Sequence, residues 1–238
     1  MERLQNILAK AGVASRRASA AMIEAGRVTA DGIVILAPGE RFDPSNCQIA
    51  VDGKPIPAME RKRTIMMYKP AGVLSTASDP FGGKTVVDII RGKIPERLVP
   101  VGRLDKDSEG LILLSNDGDL ALRLTHPRYG HEKTYIVKVA GRWSEEKLAA
   151  LRSPAEMPDG YVTKGAKVRF LRAEANNTAV LEFKLGEGRK RQIRYTCSAA
   201  HLTVLSLKRI AIGRLYLPKE MRSGEWRDLS PEEIALLA

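Results

Sequence analysis

The stretch VGRLDKDSEGLILLSNDG, residues 101–118, sets Arg103 two positions before Asp105 and adds Asp107 and Glu109 directly after it. An unbroken apolar run follows and closes on an Asn-Asp-Gly turn signal, so a carboxylate-rich loop leads straight into an apolar strand. A carboxylate beside an arginine has two ordinary uses. It forms a structural ion pair, or it serves as a nucleophile that the cation keeps ionised, since a neighbouring positive charge lowers a carboxyl pKa by roughly 1–3 units. Spacing alone leaves both open for Asp105.

Outward from this strand, the chain from residue 64 is rich in β-type runs separated by turns. TIMMYKP is expected to be a strand stopped by Pro70, and KTYIVKVAG, AKVRFLRAE and NTAVLEFKLG are alternating strands in meander-like succession. DLALRLTH and SEEKLAALR read as helices, the second capped by Ser144. With no regular β-α-β rhythm and no internal repeat, the pattern favours an α+β fold with a mixed, mainly antiparallel sheet and flanking helices.

The first 54 residues have a different texture. Leu4, Ile7, Leu8 and Ala11 recur at helical spacing before Gly12, and Ser15 caps a second helix that ends at Gly26. Two β-rich runs joined by Asp31-Gly32 then predict a hairpin. Arg16 and Arg17 open the second helix, where the dipole and both guanidinium groups attract phosphate. Residues 55–63, PIPAMERKR, shift to proline and charge and read as a linker. The expected organisation is a small helix-helix-hairpin module over 1–58, a linker over 59–63 and a larger domain over 64–238.

The chain carries 39 Lys and Arg against 28 Asp and Glu, a formal charge of +11, which suits a polyanionic partner. The surplus is concentrated: residues 184–214 hold eight basic side chains and one acid, Glu187. Within that region GEGRKRQIR places two glycines before Arg189, Lys190, Arg191 and Arg194, the composition of a tight turn presenting cations to phosphates. FGGKT at 81–85 fails as a phosphate loop, because Ser78 stands where the first glycine of that motif belongs. Three histidines and two isolated cysteines match no metal spacing or disulfide framework. No signal-peptide block or membrane-length apolar run occurs, and a monomeric cytoplasmic protein is expected.

Two resemblances add to this reading. RLQNILAKAGVASRR, MIEAGRVTADG and IAVDGKPI resemble the alpha-L RNA-binding module of the ribosomal protein S-four type, shared by ribosomal proteins, tyrosyl-tRNA synthetases and RNA-modifying enzymes. MYKPAG, the 101–118 stretch, HEKTYIVKV, GEGRKRQIR and LKRIAIGRLYL occur in an order that resembles one group of ribosomal pseudouridine synthases: type A, which serves the small ribosomal subunit, with types B, E and F, which serve the large one. GRLDKDSEGL, HEKTY and RQIR look most like the large-subunit synthase F branch, although Tyr195 stands where many relatives have a second Arg.

The resemblance implies an enzyme that isomerises a specific uridine of RNA, ribosomal RNA of the 23S type being favoured over the 16S type, without metal or cofactor. Asp105 matches the family's nucleophile, Arg194 the cation that pairs with it, and Tyr135 the active-site tyrosine that packs on uracil and is a candidate to take the carbon-five proton. Arg103 is implied beside the gap that the flipped base leaves. Lys69, Arg189, Lys190, Arg191 and Lys208 join Arg16 and Arg17 as RNA-binding candidates. Asp107 and Glu109 are expected to orient Lys106, cap a turn or shape the loop. The alternatives are a catalytically silent RNA-binding or ribosome-assembly factor, and a synthase acting on transfer RNA.

Overall fold

The computed structural model describes residues 1–237 and divides them into two compact units. One comprises Met1–Lys62 with Pro95–Arg97, the other Arg63–Ile94 with the chain from Leu98 onward.

In the first unit a short strand β1 (Glu2–Arg3) leads into α1 (Leu4–Lys10) and α2 (Arg16–Glu24). The helix α2 starts where the Ser15 hydroxyl accepts from the Ala18 N–H at 3.1 Å, meeting one of the donors a helix start leaves free. Strands β2 (Val28–Ala30) and β3 (Ile33–Val34) form the expected hairpin. Asp31 and Gly32 both take positive φ, 50° and 81°, as a type I′ turn requires. The later strands β4 (Arg41–Phe42), β5 (Ile49–Val51) and β6 (Lys54–Pro55) complete a pair β1-β4 and a sheet ordered β3-β2-β5-β6. Leu4, Ile7, Leu8, Ile23, Val28 and Ile49 fill the core between them. The segment read as a linker from residue 55 begins inside this sheet, because Pro55 lies in β6 and the Ile56 N–H donates to the Ile49 carbonyl at 3.0 Å.

The second unit is built on one nine-stranded sheet. Its elements in chain order are β7 (Thr64–Lys69), α3 (Val86–Ile90), β8 (Val99–Val101), β9 (Glu109–Ser115), α4 (Gly118–Thr125), β10 (Lys133–Ala140) and α5 (Glu145–Arg152), followed by β11 (Lys167–Glu174), β12 (Thr178–Leu185), α6 (Gln192–Ala199), β13 (Thr203–Ile212), β14 (Leu215–Tyr216), β15 (Trp226–Asp228) and α7 (Pro231–Ala235). The main path runs β11-β12-β10-β13-β9-β7-β15, with β8 and β14 attached to β9 and β13. Every pairing is antiparallel except β13 with β9.

Helices cover both faces of this sheet. In β7 and β9, Ile65, Met67, Ile112 and Leu114 join one cluster with residues of α3, α5 and α6, whereas Met66, Tyr68, Leu111 and Leu113 join another with Leu120 and Leu124 of α4. All six residues of β7 are therefore buried. Each large apolar side chain removed from water contributes about 1.5–3 kcal/mol, so these two strands are the firmest part of the unit. The parallel contact of β9 with β13 depends on Gly110, which has φ of 104° and packs so tightly that a Cβ there would lie 2.2 Å from the Arg209 carbonyl oxygen. The carboxylate-rich loop is thereby fixed at the edge of the best-packed region.

Candidate active site

A cavity of about 460 Å³ opens where three distant segments meet. Asp105 reaches it from the loop between β8 and β9, Tyr135 from β10, and Arg194 from α6, with Arg103 also in its wall and Ile193 and Leu207 supplying apolar lining. Tyr135 is buried on a strand flanked by β12 and β13, opposite Phe183 and Arg209, which fixes the direction of its ring.

The Asp105 loop is held from below by buried polar groups. The Lys69 ammonium donates to three backbone carbonyls, of Pro70 at 2.8 Å, Lys106 at 3.3 Å and Ser108 at 2.7 Å. Ser75 Oγ donates to the Leu104 carbonyl at 2.9 Å and accepts from the Leu104 N–H at 3.1 Å. The Gly72 N–H adds a bond to the Lys106 carbonyl at 2.7 Å. Lys69 is wholly buried, so it braces the loop and is not the RNA contact expected of it. Burial pushes its pKa down to about 8, against the opposing pull of Asp107, Asp105 and Glu109. Glu109 accepts from the Tyr68 hydroxyl at 3.1 Å.

The opposite wall carries the cations. Arg194 Nη2 lies 2.9 Å from Asp107 Oδ2, and Arg191 Nη1 lies 3.4 Å from Asp107 Oδ1. The expected partnership of Arg194 with Asp105 is thus replaced in this structure by one with Asp107, the more exposed carboxylate two positions along. Among the described residues, Arg194 Nε and Ser108 Oγ are buried without a hydrogen-bond partner, and both residues line the cavity. Unmet buried donors beside a cavity are groups that an incoming polar molecule can satisfy. The turn between β12 and α6 also differs from expectation. Its positive φ, 57°, falls on Arg191 at the start of α6 and not on Gly186 or Gly188.

The remaining candidates are scattered. Arg189 and Lys190 are exposed and line the cavity, Arg189 stacking on Tyr161 with its guanidinium carbon 3.8 Å from the ring centre. Arg103 is exposed at the rim. Lys208 lies outside this cavity: its ammonium sits 4.3 Å above the Tyr68 ring, and Tyr68 packs in the cluster on the other face of the sheet. Arg16 and Arg17 are exposed in the first turn of α2 in the first unit.

Comparison with known proteins decides the family. A match to the RNA pseudouridylate synthase family spans residues 63–199. The chain belongs to the RNA pseudouridine synthases. A match to the S4 domain covers residues 2–46 and gives the synthase an N-terminal RNA-binding domain. The synthase is 41% identical over 236 residues to an uncharacterized RNA pseudouridine synthase of Aquifex aeolicus, covering 99% of this chain and 93% of that one. It is 39% identical over 240 residues to the ribosomal large subunit pseudouridine synthase B of Bacillus subtilis, covering 100% and 96%. A solved pseudouridylate synthase structure matches with a TM-score of 0.69 at 25% identity over 100% of both chains. The relative with a named target is thus of the B type, whereas the short motifs look nearest to the F branch.

Sequence reasoning singles out neither Ser75 nor the bracing role of Lys69. The only signal is the MYKPAG motif, whose lysine ends a buried strand just before a proline. A lysine buried there must turn its ammonium onto free carbonyls, because a buried charge without hydrogen-bond partners is costly.

Proposed function

We propose that this pseudouridine synthase uses Asp105 as its nucleophile on a uridine flipped out of large-subunit ribosomal RNA. The observation that carries this reading is the convergence of Asp105, Tyr135 and Arg194 on one cavity from segments separated by about thirty residues or more. The target class is supported by the full-length similarity to the Bacillus subtilis large-subunit synthase.

Isomerisation breaks the bond from the sugar to ring nitrogen one and forms a bond to carbon five. One proton leaves carbon five and one is gained at nitrogen one, so atoms balance and no electrons are exchanged with a partner. Asp105 attacks as a carboxylate, which lets the base detach and turn in place, and its bond to the substrate breaks again as the rearranged product forms; attack on sugar or ring makes the same demand for an ionised, positioned group. Tyr135 packs against the uracil and is the candidate to relay the carbon-five proton, its phenolic oxygen taking that proton as its own hydroxyl proton passes to solvent. Arg194 supplies positive charge beside the carboxylate loop. Arg103, at the rim, occupies the space the base vacates, and Arg189, Lys190 and Arg191 hold phosphates of the same strand. Arg16 and Arg17 of the S4 domain add backbone affinity that is independent of the uridine. A loop or distorted helix is the required RNA context, since unstacking a paired base costs a few kcal/mol.

The test is release of tritium from RNA labelled at uridine carbon five, followed by mapping of the product on large-subunit, small-subunit and transfer RNA. Release with a product in large-subunit RNA is expected. Release with a product only in transfer RNA overturns the target, and RNA binding without release supports the silent-factor alternative.

A further inference from the structure

A second cavity of about 500 Å³ adjoins the first and shares Arg103, Tyr135 and Arg189 with it. Its interior holds two further cations, Lys133 of β10 and Arg209 of β13. Arg209 is only 3% exposed. Its Nε donates to the Leu111 carbonyl at 2.7 Å, but its Nη2 is buried with no hydrogen-bond partner among the described residues. Lys133 spends one donor on the His131 carbonyl at 2.9 Å. Burial lowers the Lys133 pKa, and the nearby Arg209 charge lowers it further.

The carboxylates nearby are already engaged. Glu187 is the acid in the cavity wall, and its oxygens accept from the Tyr161 hydroxyl at 2.9 Å, the Gln192 amide at 2.6 Å and the Lys164 N–H at 3.0 Å. Glu132, next to Lys133, pairs with Lys167 at 2.9 Å. A buried and a partly buried cation with no ion pair among the described residues are costly, and an anion brought by a ligand relieves the cost. A tetrahedral oxyanion fits the guanidinium fork and a point ammonium together.

The geometry points to a phosphate subsite in this second cavity, where Arg209 and Lys133 hold the RNA backbone beside the nucleotide whose base enters the first cavity. The inference rests on the reading of the first cavity as the uridine site. The shared wall of Arg103, Tyr135 and Arg189 makes the two cavities neighbours, and a phosphate held in the second would fix the sugar while the base is free to turn.

The test uses the full chain, with Lys133→Met and Arg209→Lys as variants whose melting temperatures are checked against wild type. Binding to a ribosomal RNA fragment is measured over a range of salt. A lost phosphate contact lowers the slope of log affinity against log salt by about 0.7–0.9. A folded Lys133→Met protein should show that loss, and Arg209→Lys should weaken binding several-fold with a smaller change of slope. In parallel, inorganic phosphate should shift the Arg209 Nε–H resonance of the wild type saturably, and about tenfold more phosphate should be needed in Lys133→Met. An unchanged salt slope in both folded variants overturns the proposal. A phosphate-induced shift with an unchanged RNA slope also overturns it, assigning the cavity to free phosphate. Failure of the wild type to release tritium while the slope falls as expected overturns the catalytic reading and leaves the phosphate subsite standing.

Discussion

The two walls of the first cavity are held in different ways. The Asp105 wall is braced by bonds to backbone carbonyls from the buried side chains of Lys69 and Ser75 and from the Gly72 N–H, and it continues into β9, which is buried on both faces. The Arg194 wall is tied by ion pairs to Asp107, a carboxylate that is half exposed. Bonds of the first kind are insensitive to salt, whereas exposed ion pairs are screened and contribute little. The proposed nucleophile is therefore placed by the fold, whereas the cations facing it are held by pairs that arriving phosphates can compete for.

Among the residues that support the carboxylate, Arg194 should matter most. Arg194→Ala is expected to lower kcat/KM on the order of a hundredfold, about 2.7 kcal/mol in the barrier, mainly through kcat and with partial rescue by Lys. A loss confined to KM would mean that Arg194 acts on the RNA and not on the carboxylate loop.

Lys69→Met removes the brace and should slow turnover about tenfold, roughly 1.4 kcal/mol, with RNA affinity little changed. It also tests the buried ammonium. The folded-state pKa of Lys69, about 8, is below the ordinary 10.5, so between these values the unfolded chain binds more protons than the folded one. The Lys69 contribution to stability thus rises with pH from about 8 to 10.5. Melting temperatures at about pH 7 and about pH 9.5 should show wild type gaining on Lys69→Met at the higher pH. A constant difference would contradict the assigned burial.

Asp107→Asn breaks the exposed pairs and should change turnover by no more than about threefold, while making RNA binding slightly tighter by removing a negative charge from the cation wall. A loss as large as that of Arg194→Ala would show that the two walls depend on one ion pair, erasing the distinction between them. The smallest effect is expected at Lys208. Its stacking on Tyr68 is worth about 0.5–1 kcal/mol of stability, and Lys208→Ala should leave the salt dependence of RNA binding unaltered.

The same contrast explains what can be read from the sequence. Strands, caps and the Asp31-Gly32 turn depend on neighbouring residues and are legible, as are the mixed, mainly antiparallel sheet and the cluster of cations at 189–194. The double-sided burial of β7 hides its alternation, because a strand apolar on both faces has no period of two. The Lys69, Lys208 and Arg194 partnerships depend on contacts across 37 or more positions, or on the opposite face of a sheet, and composition does not separate a buried lysine from a surface one. Arg209 escapes notice for the same reason: its burial follows from the close approach of Gly110 in a parallel pairing that no local pattern announces.

The most direct measurement is single-turnover tritium release by Asp105→Asn, compared with wild type on the same labelled RNA at saturating protein. The substitution keeps the shape of the side chain and removes its charge, and Asp105 makes no ion pair among the described residues whose loss could disturb the wall. No detectable release is expected, with an RNA affinity within a few-fold of wild type. Release at a rate near that of wild type would contradict the assignment of Asp105 as the nucleophile.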